Sequence, residues 1–438
     1  MNDKDANSAA VPEISLIELL LSLGRTLFHS GATARRVKES ILFLNKYLGG
    51  PEIRFLITYA GLILTTVDGK EYRTVVDKSP DFGGVNIAAV RYISQFLHNL
   101  QKMEIKPTRN WINEQITNIA AQKHYKSNLL GGAMAGVAGV ATGALNGADF
   151  IVLPIIFIAS LGAFLCRQKL VASGYNLLVS ILLAVVVGGL IAVGGSHLIN
   201  TTTPLVAIIA PMLFLVPAFP FITGGIDILH NHNIVGICRI CFAITTALLI
   251  TAGLSIAMMF APEHLSLTMA QSYSTVWLKV IYEGLWAGAA AVGLAAINNA
   301  SHKSLWLFAC CGFLARFIRA VCMSYFAFTP HTASFIGILI VTFIAIRIEM
   351  QSIVINKHQY SVPAILLAII SAIPMFPGFF VINGLEGLSA IARQTSATLS
   401  PALLNDTLLF FVKALSIIFA LLLGILLPLT LQKDRTRI

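Results

Sequence analysis

Residues 217–224 read PAFPFITG, and residues 377–384 read PGFFVING. At a constant offset of 160 the two segments share Pro, Phe, Ile and Gly, with Ala218 opposite Gly378 and Thr223 opposite Asn383. Pro211, Pro220 and Pro374 cluster around the copies. Each copy lies in an apolar run long enough to cross a bilayer. A proline there removes a backbone donor and clashes with the preceding turn. In hydrocarbon the carbonyls so freed need partners, so breaks persist where protein or a watery cavity covers them. Paired breaks at corresponding places point to a binding site near the midplane. Simple kinks are the plainer reading of intramembrane Pro and Gly. Their repetition in register favours the site.

The rest of the chain fits that setting. It is 56% hydrophobic and 11% charged, whereas soluble domains carry about 25% charged residues. Residues 1–126 hold 16 Lys/Arg and 12 Asp/Glu, while residues 127–438 hold only 14 and 8. This predicts a small α+β cytoplasmic domain over 1–126, a first five-helix membrane repeat over 127–262, a second over 277–432, and a tail over 433–438. Ten apolar runs lie near 129–146, 149–166, 176–198, 204–227, 234–261, 277–298, 304–326, 332–349, 361–388 and 407–431. Each approaches the ~20 residues that a bilayer core requires. The proline motifs fall in the fourth and ninth runs. They lie five spans apart, and five is odd, so the second half runs through the membrane in the opposite sense. The expected fold is a polytopic α-helical membrane protein of two inverted five-helix repeats, a plan of secondary transporters.

The N-terminus, MNDKDANSAA, is polar and does not read as a signal peptide. With the first domain inside, the inner loops hold Arg167, Lys169, Arg239, Lys303, Arg347 and Lys357, and the outer loops little beyond Lys279 and Arg393. Both termini are expected in the cytoplasm, and the protein in the cytoplasmic (inner) membrane. The net charge of +10 follows from these loops and calls for no nucleic-acid partner. Within the first domain, helices are expected over 13–30, 32–48, about 83–100 and about 107–125. Between them IRFLITYAGLILTTV and EYRTVVD flank the hairpin signal Asp68-Gly69.

Six cysteines, Cys166, Cys238, Cys241, Cys310, Cys311 and Cys322, fall in or beside apolar runs and read as small buried packing residues. The C-x-x-C of Cys238 and Cys241 lacks a second pair, so no metal site is expected. His230 and His232 read as loop residues. Gly132/Gly136 and Gly139/Gly143/Gly147 fall four apart in the first span and read as a close helix contact. Walker A, H-E-x-x-H and G-x-S-x-G sequences are absent, so ATP-driven transport and those hydrolytic chemistries lack support. No enzyme activity and no cofactor is expected.

Ionisable groups inside spans are costly and count as functional candidates. Asp149, Glu283 and Glu386 are the carboxylates that could carry a coupling proton. Asp227 follows Pro217 by ten residues, and Arg316 and Arg319 share one face of the seventh span. Arginine presents a planar fork that can clamp a substrate carboxylate, and Arg319 is the candidate for that role.

On these motifs the chain resembles the threonine/serine exporter family over nearly its full length. The correspondence rests on Val216-Pro217-Ala218 with Asp227, on Pro374-Met375-Phe376-Pro377-Gly378, and on the early segment HSGATARRVKESILFLNKYLG. Ala218 stands where the family's first motif has glycine. The resemblance implies two units, separate in many bacteria and fused here, and export of threonine, serine or similar small amino acids. Dicarboxylate export of succinate-like anions, associated with related two-component members, stays open. So does a membrane-anchored sensor or enzyme without transport activity. The exporter reading places substrate among Pro217, Ala218, Pro220, Thr223, Asp227, Pro374, Pro377, Gly378, Asn383 and Arg319. Its partners are the small-molecule substrate, a coupling proton or cation and the lipid bilayer, and a homo-oligomer is compatible with it.

Overall fold

Ser15 starts the first helix because its hydroxyl accepts from Glu18 N while the Glu18 carboxylate accepts from Ser15 N, a reciprocal cap. The computed structural model describes residues 14–58, 61–69, 71–78, 84–125, 127–199, 201–261, 275–354, 362–392 and 400–431. Helix α1 (Leu16–His29) is followed by α2 (Ala34–Leu48), which Thr33 caps and Gly49, at φ +71°, ends. Strands β1 (Glu52–Thr58), β2 (Gly61–Asp68) and β3 (Glu71–Lys78) form an antiparallel sheet in the order β1-β2-β3. The apolar run 53–67 therefore folds back on itself, with Thr58 opposite Gly61. As one strand it would span about 50 Å, longer than the helices that cover it. Asp68-Gly69 makes the second turn, with Asp68 opposite Glu71. Leu62 and Leu64 join the core formed with α1 and α2. Helices α3 (Ile87–Leu100) and α4 (Arg109–Ala121) complete the unit. Helix α3 begins later than its apolar pattern suggests because the Asn86 side chain caps it at Ala89 N.

The apolar remainder is helical throughout. The first half comprises α5 (Asn128–Leu145), α6 (Leu153–Ala172), α7 (Leu177–Leu198), α8 (Pro204–Ile209), α9 (Ala218–Leu229) and α10 (Asn233–Met258). The second comprises α11 (Val276–Ile297), α12 (Leu305–Tyr325), α13 (Pro330–Val354), α14 (Ala364–Ala372), α15 (Gly378–Ala392) and α16 (Pro401–Leu431). Among the described residues eight helices are long and apolar enough to span a bilayer. Two further spans are broken, with bends of 50° between Leu215 and Ala218 and 51° between Met375 and Gly378. The protein is thus a polytopic α-helical membrane protein, with ten spans when each bent pair counts as one.

Each half repeats one pattern of neighbours. In the first, α6 lies between α5 and α7, while α10 packs on α7 and α9; in the second, α12 lies between α11 and α13, while α16 packs on α13 and α15. The halves meet through their equivalent first helices, α5 and α11. His124, just before α5, donates from its backbone N to Asn299 Oδ1, just after α11, at 2.8 Å. Phe150, beyond the other end of α5, stacks edge-on with Tyr282 near the start of α11, with ring centroids 6.4 Å apart. The two helices are therefore antiparallel, and the repeat is inverted. The N-terminal α+β unit sits against the end of the bundle that carries the α9–α10 and α11–α12 turns, and Leu429 of α16 lies at that same end.

Small residues set this packing, as the glycine ladder predicts. Gly136 faces Phe157 and Gly139 faces Ser160, both on α6. The cysteines depart from expectation: Cys311 and Cys322 are buried, but Cys241 and Cys310 are exposed on the outside of the bundle. Apolarity in a span selects for lipid as readily as for a core, so it did not imply burial. At the seam between the halves, a Cβ on Gly293 would lie 2.6 Å from the Met134 carbonyl oxygen and 2.8 Å from Ala138 N. These are backbone atoms that cannot rotate aside. Gly293→Val is expected to force the halves apart at a cost of about 1–3 kcal/mol, read as a lower thermal midpoint in detergent. Gly194→Ala on α7, where a Cβ meets nothing within 4 Å, is the milder comparison.

Candidate substrate site at the paired breaks

The two interruptions share one backbone hydrogen-bond pattern. Before each bend the helix tightens into a 3-10 turn containing proline, Ala210–Leu215 in one case and Ile373–Met375 in the other. Ala218 N then donates to Val216 O at 2.8 Å, and Gly378 N to Phe376 O at 2.9 Å. The helix resumes with Phe221 N on Pro217 O at 3.2 Å and Val381 N on Pro377 O at 3.0 Å. Thr223 Oγ1 donates to Phe219 O at 2.9 Å, and Asn383 Nδ2, at the equivalent place, to Phe379 O at 2.7 Å. The breaks also touch. A Cβ on Gly378 would meet Leu213 and Val216 at 3.4–3.5 Å, and the rings of Phe221 and Phe376 lie 6.0 Å apart.

A cavity opens on either side of this contact. On the side of the N-terminal unit, a cavity of about 180 Å³ is lined by Pro217, Pro220, Thr223, Arg239 and Asn298. On the far side, one of about 280 Å³ is lined by Ala218, Pro374, Pro377, Gly378, Arg316 and Arg319. Val216, Leu294 and Ile373 line both. These three apolar side chains form the partition. The expected substrate residues are accordingly divided between two chambers, and Asp227 and Asn383 line neither.

The charges sort into partnered groups and two exceptions, Glu386 and Arg319. Asp227 and Arg239 are fully buried, with Arg239 Nη1 2.8 Å from Asp227 Oδ2. Asp227 Oδ1 also accepts from Ala34 N at 2.9 Å, and Arg239 Nη2 donates to Ala32 O at 2.7 Å. Asp227 thus faces the N-terminal unit. Arg239, expected in an inner loop, lies inside α10 instead, because Asp227 draws it in across the His230–His232 turn. The signal was available: an acid and a base at facing ends of consecutive helices. Glu283 accepts from Arg316 Nε at 2.9 Å. Asp149, in the α5–α6 connection, accepts from Thr201 Oγ1, Thr202 N, Thr202 Oγ1 and Val152 N at 2.7–3.1 Å. Burial works against its charge, yet these donors outweigh it and hold the carboxyl below the ordinary carboxylate range. Glu386, two turns past the second break, has a buried Oε1 with no hydrogen-bond partner among the described residues.

Arg319 is the second exception. It is 8% exposed, its Nε has no hydrogen-bond partner, and none of the described residues forms an ion pair with it. A buried cation without its anion is costly, and this one lines the far-side cavity beside the N-terminus of α15. The first turn of a helix offers free N–H groups and partial positive charge. The arrangement suits a carboxylate.

The Asp227–Arg239 pair yields a measurable expectation. Asp227→Ala leaves a buried guanidinium without its carboxylate and should cost about 3–5 kcal/mol. Asp227→Ala with Arg239→Leu should cost clearly less than the two single changes added together, read by thermal or denaturant unfolding in detergent. Additive effects would mean the pair is not coupled.

Comparison with known families agrees with the two-unit organisation. A family model described as "Putative threonine/serine exporter" matches residues 18–261, and one described as "Threonine/Serine exporter, ThrE" matches residues 283–431. No curated protein and no solved structure matches the chain.

Proposed function

Because the chain belongs to the threonine/serine exporter family, with both units in tandem, we propose that it moves threonine, serine or a similar small amino acid through the paired breaks by alternating access. The observation that carries this reading is the pair of cavities divided by Val216, Leu294 and Ile373. Two chambers that lie on opposite sides of one apolar wall are what such a carrier needs. Related helix breaks on both sides of the wall give each half the same hinge.

In this reading Arg319 and the first turn of α15 take the substrate carboxylate. Glu283, which pairs with the cavity-lining Arg316 but is not itself among the lining residues of either chamber, takes either the substrate ammonium or a proton. One carboxylate cannot serve both at once, and that competition is the chemistry of exchanging amino acid for protons. Asp149 and Glu386 are weaker candidates for the coupling proton, since Asp149 is fully engaged in its loop and Glu386, unlike Glu283, forms no ion pair among the described residues with a side chain that lines a chamber. The N-terminal unit and the end of α16 share one end of the bundle with the inner-loop cations. That supports both termini in the cytoplasm and residence in the inner membrane. Succinate-like dicarboxylates are the second reading, favoured by the excess of arginine over carboxylate in the far-side cavity.

Counterflow in proteoliposomes with labelled threonine, serine and succinate tests the assignment. Accumulation of threonine and serine is expected, and accumulation of succinate alone would move the protein to the dicarboxylate reading. Arg319→Gln removes a charge-assisted bond of about 1.5–3 kcal/mol and should weaken apparent affinity roughly ten- to a hundred-fold. Gly378→Ala should be tolerated, since its methyl meets Leu213 and Val216 at ordinary contact distance, whereas Gly378→Leu should block the cavity. Unchanged affinity in Arg319→Gln would remove Arg319 from the site. Glu283→Gln should lose gradient-driven export and keep exchange at equal pH; intact driven export would return Glu283 to a structural role.

A further inference from the structure

The domain-side cavity is not closed by membrane helices alone. Gly31 lines it from the turn between α1 and α2, and Gly84 and Val85 line it from the stretch before α3. All three belong to the N-terminal unit. Gly31 is at φ +86°, and a Cβ there would meet the Phe219 ring, on the first turn of α9, at 3.2 Å. The turn therefore needs glycine both for its conformation and for its approach to the broken span.

Two polar contacts hold this cover down on opposite flanks. On one, Asp227 and Arg239 grip the backbone at Ala34 N and Ala32 O, at 2.9 and 2.7 Å, with the guanidinium stacked over the Phe28 ring. On the other, Ile87 N donates to Asn298 O at 2.9 Å, and Asn299 Nδ2 to Asn86 Oδ1 at 2.8 Å. We propose that the N-terminal unit is the gate of the domain-side cavity, and that substrate enters when residues 30–34 and 84–87 lift from these two latches. The proposal rests on the transport reading above.

The chemistry of the latches fits a contact that must open. Phe219, Ile222 and Ile226 of α9 share an apolar core with the N-terminal unit and lose that burial on parting, so the latches must add little to the cost. A charged pair regains hydration when exposed, and this offsets much of the lost attraction. The four backbone and side-chain bonds of the two flanks likewise exchange for water bonds at a small net cost each. Strong geometry with modest net energy is what a reversible latch requires.

Cysteines at Asn86 and Asn299, whose side chains touch, allow the gate to be tied in a background lacking the native cysteines. Thr246→Cys supplies a reporter inside the cavity, where Thr246 is buried and lines this chamber. In nanodiscs, cross-linking N86C/N299C should slow labelling of the reporter by a water-soluble thiol reagent by about tenfold or more, and reduction should restore it. Asp227→Asn, which weakens the other latch while keeping the shape, should speed labelling in the untied protein. Counterflow should stop in the tied protein and return on reduction. Labelling at equal rates in tied and reduced protein, or unchanged by Asp227→Asn, overturns the gate. Labelling needs no transported substrate, so an absent counterflow with a responsive reporter would fault the transport reading and leave the gate standing.

Discussion

A broken helix in hydrocarbon has carbonyls that water cannot reach, and the architecture follows from where those carbonyls find partners. At the first break Ser160 Oγ donates to Pro211 O at 3.2 Å. Ser160 can stand there only because α5 presents Gly139 opposite it. At both breaks the residue after the proline donates back across the bend, to Val216 O and to Phe376 O. The two interruptions then cover one another, with Gly378 against Leu213 and Val216. The glycine ladder, the serine and the bends are thus one solution to one problem. Its by-product is a pair of chambers with a thin wall between them.

The same constraint sorts the charges. A lone ion far from water is expensive, and each carboxylate discussed here except Glu386 has a donor set that accounts for it. Asp227 has Arg239 and Ala34 N, Glu283 has Arg316, and Asp149 has a ring of hydroxyl and N–H donors. Structure alone therefore explains these groups, whatever else they do. Arg319 is different, because none of the described residues forms an ion pair with it. The proposed role for it is to take the substrate carboxylate.

Much of this was legible in the sequence, for identifiable reasons. Proline and glycine at fixed offset announce backbone geometry, so the breaks, their equivalence and the inversion could be read from PAFPFITG and PGFFVING. The shared glycines have partners as well: Gly224 lies against the Gly236 carbonyl of α10, and Gly384 against the Phe411 ring of α16. The partition was invisible because Val216, Leu294 and Ile373 are ordinary apolar residues among many. Arg239 was misplaced because a charge near a predicted loop end looks solvated, and only the facing Asp227 shows otherwise. The cysteines misled for the opposite reason, since lipid accepts what a core accepts. The fold-back at Gly61 was masked by a continuous β-forming run.

The N-terminal unit is where local reading had least purchase, and where tertiary contact adds most. Ser30-Gly31-Ala32 and Arg36-Val37 carry the early motif, while Asp227 closes the first proline motif some 190 residues later. In space they are adjacent: Ala32 and Ala34 are the backbone that Asp227 and Arg239 hold. The first family model runs without interruption from α1 through α10, residues 18–261, so it treats this unit and the first five spans as one body. The contact gives that extent a physical basis. The second unit carries no such domain in its match, residues 283–431, and its equivalent of Asp227 is Gly387, packed on Thr407. Two halves with the same backbone hinge therefore differ in what covers them. The pseudo-symmetric protein has one end capped by protein, and the cap meets the halves unequally: a buried ion pair holds it to the first, and the amide contacts of Asn298 and Asn299 hold it to the second.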